Sequence, residues 1–267
     1  ARGVRIVGPM LRDEVLRTKA EVGLGFDGDG DRCGVVDNEG EEIFADKVGV
    51  MLPRDISTLH PNSQFVVDVK STGLFMTDPA LIANGVKADY WKTGHSYMKR
   101  RVNETGAVAG FEKSGHFFFN KPLGRGYDDG LLFALAVCDM LDRNAGKSMA
   151  DLKNALPKTW SSPTMSPHCD DEKKYGVVEE VVRHFETAKA KGDKVAGEPI
   201  RDLVTVNGVR VTVADGTWGL VRASSNKPEL VVVVESPVSE ARMRDMFKAV
   251  DGVLRTHPEV GEYNQTI

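Results

Sequence analysis

The chain has 267 residues, 41% of them hydrophobic and 28% charged, with a formal net charge of −4. This is the composition of an ordinary globular protein, and its length predicts about two domains. Lysine and arginine are spread along the chain without the basic stripe of a nucleic-acid binder, and no apolar run approaches a membrane span.

The three cysteines, Cys33, Cys138 and Cys169, are far apart and outside any C-x-x-C pattern. They read as reduced packing residues of a cytoplasmic protein. The chain opens Ala1-Arg2-Gly3 with no initiator methionine, which suggests a processed or excised piece of something longer.

In chain order, Val22–Phe26 and Cys33–Val36 read as short buried strands joined by the loop Asp27-Gly28-Asp29-Gly30-Asp31-Arg32. Alternate positions of extended backbone point to one side, so the three carboxylates can converge on one point. Bare carboxylates that close repel one another, and hard oxygen donors of this kind suit Mg²⁺. A solvated Asp-Gly turn is the plainer alternative. An EF-hand loop is a second, but it needs glycine at its sixth position and glutamate at its twelfth, where this chain has Arg32 and Asn38.

Further on, Phe65–Val69, Ala88–Trp91 and Ala107–Phe111 are strand-like. Helices are predicted over about Gly73–Ala83 and Ser96–Glu104, and a third follows Asp129 as cap and runs to about Arg143. Strands interleaved with helices indicate an α/β layer with a mainly parallel sheet. Proline and serine cluster from Pro157 to Pro167, and a domain boundary is placed near Leu156. Beyond it come a helix (about Glu172–Lys189), strands at Val204–Val206 and Val209–Val213 around Asn207-Gly208 as a type I′ hairpin, strands at Trp218–Ala223 and Leu230–Glu235, and a helix from about Ser239. This half reads as antiparallel α+β.

Polar groups that packing does not need gather in loops after strands. Lys70 and His95 follow two strands of the α/β layer, and ligands in open α/β sheets collect at the carboxyl ends of strands. Either residue could move protons to or from a sugar hydroxyl, or be a solvated lysine and a histidine at a helix start. Glu112 and Ser114, in Glu112-Lys113-Ser114-Gly115-His116, suit a vicinal diol. In Arg222-Ala223-Ser224-Ser225-Asn226-Lys227-Pro228, arginine offers a bidentate fork and the small polar residues an anion nest, with a polar hairpin loop as the alternative.

Taken in order, Gly25–Arg32, Asp68-Val69-Lys70, Trp91–Ser96, Glu112–His116 and Arg222-Ala223-Ser224 resemble the motifs of the α-D-phosphohexomutases, with the bacterial phosphomannomutase/phosphoglucomutase branch the most similar. The resemblance implies a three-layer α/β domain with a mainly parallel mixed sheet, followed by a smaller antiparallel α+β domain. Residues 1–41 would be the end of the family's domain 2, 42–156 domain 3 and 157–267 domain 4.

The resemblance further implies a Mg²⁺-dependent phosphoprotein of carbohydrate metabolism. Such enzymes interconvert hexose 1-phosphate and hexose 6-phosphate through a phosphoserine and a bisphosphosugar. Asp27, Asp29 and Asp31 would hold the metal, with Arg32 beside the transferring phosphate. Lys70 and His95 would be general acid/base residues, and Glu112, Ser114 and His116 would bind the sugar. Arg222, Ser224, Ser225 and Asn226 would grip the other phosphate.

The chain departs from the family pattern at three points. Ser225-Asn226 replaces an Asn-Thr pair, and Phe111 replaces a glycine. The phosphoserine motif Thr-Ala-Ser-His-Asn-Pro does not occur in the 267 residues, so the chain by itself is expected to be inactive. The expected partner is a hexose phosphate, as glucose, mannose or both, with no nucleic acid and no membrane. The oligomeric state is left between a monomer and a weak dimer. A non-catalytic sugar-phosphate-binding module is the second reading, and a structural metal-binding domain the third.

Overall fold

In the computed structural model, which describes residues 9–267, helix α1 (Pro9–Thr18) leads into an antiparallel sheet of β1 (Val22–Phe26), β2 (Cys33–Asp37) and β3 (Glu42–Ile43). The opening Ala1-Arg2-Gly3 lies outside the described residues. Val15 of α1 packs with Leu11 and Val36. Helix and strand come so close that a Cβ on Gly23 would lie 2.5 Å from a Val15 methyl.

The chain divides into two compact units, one ending at Pro157 and the other running from Lys158 to Ile267. Beyond the small sheet, the first unit continues with α2 (Ala45–Leu59), β4 (Gln64–Asp68), α3 (Leu74–Thr77), α4 (Pro79–Ala83), β5 (Lys87–Trp91) and α5 (His95–Thr105). Then come β6 (Ala109–Phe111), β7 (Phe117–Phe119), β8 (Tyr127–Asp128), α6 (Gly130–Arg143) and α7 (Met149–Asn154). Its main sheet runs β5-β4-β6-β7-β8, with β4 parallel to both neighbours and β7 and β8 antiparallel.

Alternate strand residues face opposite layers. Val66 and Phe118 bury against Met98 and Val102 of α5. On the other face Phe111 stacks on Phe65 and Phe75 and approaches Gly49 of α2, while Phe117 stacks 3.9 Å from Phe133 of α6. Each fully buried side chain of this size stabilises the fold by roughly 1.5–3 kcal/mol. Phe111, at 1% exposure, fills the centre of this aromatic cluster, a place glycine would leave open.

The helix expected over Gly73–Ala83 is two helices. Asp78 breaks it: its fully buried carboxylate accepts from the N–H groups of Ala80 and Leu81 and caps α4 ahead of Pro79. The same carboxylate pairs with Arg54. Asp129 caps α6 as expected, accepting from Leu132 N at 3.0 Å. Helix α2, with Pro53 inside it, was not anticipated.

The second unit comprises β9 (Trp160–Ser161), α8 (Asp171–Lys191), β10 (Lys194–Val195), β11 (Glu198–Val204), β12 (Val209–Val213), β13 (Trp218–Ala223), β14 (Leu230–Ser236) and α9 (Glu240–Leu254). Its sheet is antiparallel in the order β10-β11-β12-β13-β14-β9. Phe185 of α8 and Met246 of α9 share one core with Val211, Val221 and Val232, so both helices cover one face.

The hairpin at Asn207-Gly208 forms, but not as type I′. The last strand pair is Val204 with Arg210, and Val206 lies outside the strands. Only Gly208 of the two adopts positive φ, at 72°, whereas type I′ needs it at both residues. A Cβ there would lie 2.1 Å from Val221 O and 2.7 Å from Arg222 Cα, so the turn presses on β13 beside Arg222.

Cys33 and Cys169 are buried, whereas Cys138 on α6 is exposed. No described helix is long and apolar enough to cross a membrane.

Candidate active site

The aspartate loop closes the β1–β2 hairpin, whose last pair is Phe26 with Cys33. Gly30 N donates to Asp27 O, and Gly30 itself sits at φ 75°, where a side chain would be strained. Carboxylate oxygens of Asp27, Asp29 and Asp31 all lie within 4.8 Å of one another. Arg32 Nε donates to Asp27 Oδ2 at 2.6 Å.

Burial pushes Asp27 upward, but the hydrogen bonds from the Arg32 side chain and backbone outweigh it and hold this carboxyl below its ordinary value. Asp31 moves the other way: burial raises it most, the charges of Asp29, Asp27 and Asp128 add to this, and together they exceed the pull of His116. Among the described residues, Asp31 Oδ1 is buried with no hydrogen-bond partner, the Arg32 Nε standing 3.5 Å off. Three converging hard-oxygen donors, one left unsatisfied, fit a small divalent cation such as Mg²⁺.

The parallel strands β4, β5 and β6 end side by side, and the loops after them meet. Glu112, 3% exposed, is the centre of this group. Its Oε1 accepts from Gly94 N at 2.6 Å, at the start of α5, and its Oε2 accepts from Ser114 Oγ at 3.0 Å. Gly94 stands at φ 129°, a conformation that glycine permits. Burial raises Glu112 above its ordinary value and the Asp68 charge adds to this, against the Gly94 N–H, Lys70 and His116.

Lys70 Nζ lies 3.5 Å from Asp68 Oδ2. His95 opens α5 with its ring 6.4 Å from that of His116. His116 links back to the aspartate loop: its Nδ1 is 3.1 Å from Asp128 Oδ2 and 3.6 Å from Asp31 Oδ2, and its backbone bridges to Arg32.

Within the first unit, then, Asp27, Asp29, Asp31, Arg32, Lys70, His95, Glu112, Ser114 and His116 come together. Two neighbours escaped the sequence reading. Asp68 was noted only as part of a motif, and Asp128 sits in Tyr127-Asp128-Asp129-Gly130, where only the cap Asp129 stood out.

Arg222, Ser224, Ser225 and Asn226 belong to the second unit, on the β13–β14 hairpin. Arg222 and Ser224 are buried, whereas Ser225 and Asn226 are exposed. Arg222 donates to the carbonyl of Ala223, and Ser224 N to Glu229 O. The buried Lys174 of α8 donates to Lys227 O at 2.9 Å and braces the far limb of the loop.

The family model described as phosphoglucomutase/phosphomannomutase, alpha/beta/alpha domain III, matches residues 44–160, and that of the family's C-terminal domain matches residues 168–253. The chain belongs to the α-D-phosphohexomutase family.

It is 34% identical to the phosphomannomutase/phosphoglucomutase of Pseudomonas putida over 249 residues, 92% of this chain and 50% of that protein. It also resembles the crystal structure of a phosphoglucomutase/phosphomannomutase family protein from Burkholderia thailandensis, with a TM-score of 0.77 and 31% identity over 94% of this chain and 51% of that one. The N-acetylphosphoglucosamine mutase of Aspergillus fumigatus, solved with GlcNAc-6P and magnesium, shares the fold at a TM-score of 0.60 and 12% identity, over 87% of this chain and 48% of that one. The phosphohexomutase chain thus spans about half the length of the curated relatives it matches.

Proposed function

We propose that this chain carries the metal, sugar and phosphate sites of an enzyme interconverting hexose 1-phosphate and hexose 6-phosphate, with glucose, mannose or both as the sugar. On this reading residues 1–41 correspond to the end of the family's second domain, 42–156 to its third and 157–267 to its fourth. The observation that carries it is the meeting of four sequence-remote segments, the aspartate loop, Asp68–Lys70, Thr93–His95 and Glu112–His116, around one buried glutamate. A structural metal-binding domain would not need the last three. A non-catalytic module is disfavoured by the mutase names of the relatives.

Asp27, Asp29 and Asp31 would hold Mg²⁺, which when bound neutralises charge on a phosphoryl group. Arg32 adds a fixed positive charge beside that position. Lys70 and His95 hold or move the proton of the reacting hydroxyl. Glu112 and Ser114 bind neighbouring sugar hydroxyls, the glutamate accepting and the serine able to do either, and His116 lies beside them. Arg222, with Ser224, Ser225 and Asn226, binds a phosphate in the second unit.

Calorimetric titration with Mg²⁺ tests the metal loop. Asp29→Asn, an exposed position where folding is not at stake, abolishes the binding heat seen with the parent chain. Unchanged affinity in that variant would remove the metal assignment.

A further inference from the structure

We propose that Asp68, a residue with no role assigned in the reading above, is the positioning residue that sets the loops after β4, β5 and β6 for sugar binding. The inference rests on that reading of the site. Asp68 ends β4 with its side chain at 0% exposure. A carboxylate so deeply buried is costly unless its oxygens are well satisfied, and here the partners come from three separate loops.

On its own loop Ser71 Oγ donates to Oδ1 at 2.5 Å, and Lys70 Nζ stands 3.5 Å from Oδ2. From the loop after β5, Thr93 Oγ1 donates to Oδ2 at 3.2 Å. From the loop after β6, Lys113 N donates to Oδ1 at 3.3 Å. Thr93 precedes Gly94 and His95, and Lys113 lies between Glu112 and Ser114, so each contact falls one or two residues from a group that the reading puts on the sugar. Lys70 is held directly.

A purely local turn would need only the Ser71 contact and the Ser71 N–H bond to Asp68 O. The two contacts from other loops do nothing for that turn. They fix the spacing between Lys70, His95 and Glu112, and sub-ångström changes in such spacing govern how well a rigid ring is held. The Asp68 charge also raises Glu112, so one buried carboxylate both places the sugar-binding glutamate and biases its charge.

The test uses the 267-residue chain, with glucose 1-phosphate and mannose 1-phosphate as calorimetric probes in the presence of Mg²⁺, alongside backbone amide NMR. Asp68→Asn keeps size and polarity but removes the charge and one acceptor. Its expected effect is a loss of affinity of about tenfold or more for whichever sugar phosphate the parent binds. The Gly94 and Lys113 amide signals shift, while those of α2 and α6 stay in place.

Lys70→Met weakens binding too, and the double variant Asp68→Asn with Lys70→Met loses less than the product of the single losses, because both act partly through one pair. Parent-like affinity in Asp68→Asn, or losses that multiply in full, overturns the proposal. If Asp68→Asn does not fold, Thr93→Val removes the Thr93 Oγ1 bond to Asp68 from outside. A parent-like Gly94 signal in that variant is then the overturning result. If the parent chain binds neither sugar phosphate, the functional reading fails. The amide shifts still decide on Asp68, since loop signals that do not move in Asp68→Asn refute its positioning role.

Discussion

The burial of the Glu112 carboxyl has a consequence for stability. Its carboxyl is raised above the ordinary 4.5, first by burial and then by the Asp68 charge, with Lys70 and His116 opposing. A raised carboxyl binds its proton more tightly in the folded chain than in the unfolded one. Stability from this group is therefore present at low pH and is lost as pH climbs from the ordinary value through the raised one. Glu112→Gln removes the titration, and its amide can still accept from Gly94 N and donate to Ser114 Oγ. The variant should gain in melting temperature over the parent as pH rises from the ordinary carboxyl value through the raised one, while losing sugar-phosphate affinity. A melting-temperature difference that stays flat with pH would show that Glu112 is not the strained group.

The aspartate triplet was legible because its three members occupy one short loop, where spacing alone places them. Asp68 and Asp128 were not, because what makes them matter arrives from elsewhere: the Lys113 N–H that bonds to Asp68 lies 45 positions along the chain. No local pattern encodes that meeting.

At the level of elements, the first turn of α6 buttresses the aspartate loop. Gly130 N donates to Gly30 O at 3.2 Å, and a Cβ on Gly130 would lie 2.6 Å from that same oxygen and 3.0 Å from the Arg32 backbone. Helix propensity argues that Gly130→Ala stabilises by up to about 1 kcal/mol. The clash is with backbone that cannot rotate away, and overpacking of this kind costs roughly 1–3 kcal/mol. The clash wins. Gly130→Ala should lower the urea midpoint and weaken Mg²⁺ binding together, whereas a raised midpoint with parent-like Mg²⁺ affinity would show that the loop yields freely.

The strands β4, β5 and β6, the cap at Asp129 and the helix start near Ser239 could be read from apolar runs and helix-start chemistry, which are local. Helix α2 could not, because Pro53 in its middle is a breaker by rule, whereas the helix buries one side, with Gly49 beside Phe75 and Phe111. The Asn207-Gly208 turn failed in another way: the dipeptide fits type I′, but the strand pairing stops at Val204 and Arg210 and selects a longer loop.

For the molecule as a whole, binding and turnover should separate. On the reading above Lys70, His95 and Glu112 position and deprotonate a hydroxyl, and the phosphoserine motif that carries the phosphoryl group between the two transfers in this family does not occur in the 267 residues. The 267-residue chain, purified free of any longer form, should leave glucose 1-phosphate and mannose 1-phosphate unconverted even with Mg²⁺ and a hexose bisphosphate. Turnover in a coupled assay would place a phosphoryl carrier inside these residues.

The distribution of thiols makes the chain simple to instrument. Cys33 is pushed up to about 12 by burial, Cys169 is also raised by burial, and only Cys138 is exposed. A thiolate-specific reagent should therefore titrate one group in the native chain and three after denaturation. Cys138 sits on α6 about 12 Å along the helix axis from Gly130, the residue that touches the aspartate loop. A fluorophore or spin label on that single thiol needs no engineered cysteine and reads the environment of the loop from a fixed distance, so Mg²⁺ addition becomes an optical or magnetic signal on the unmutated protein.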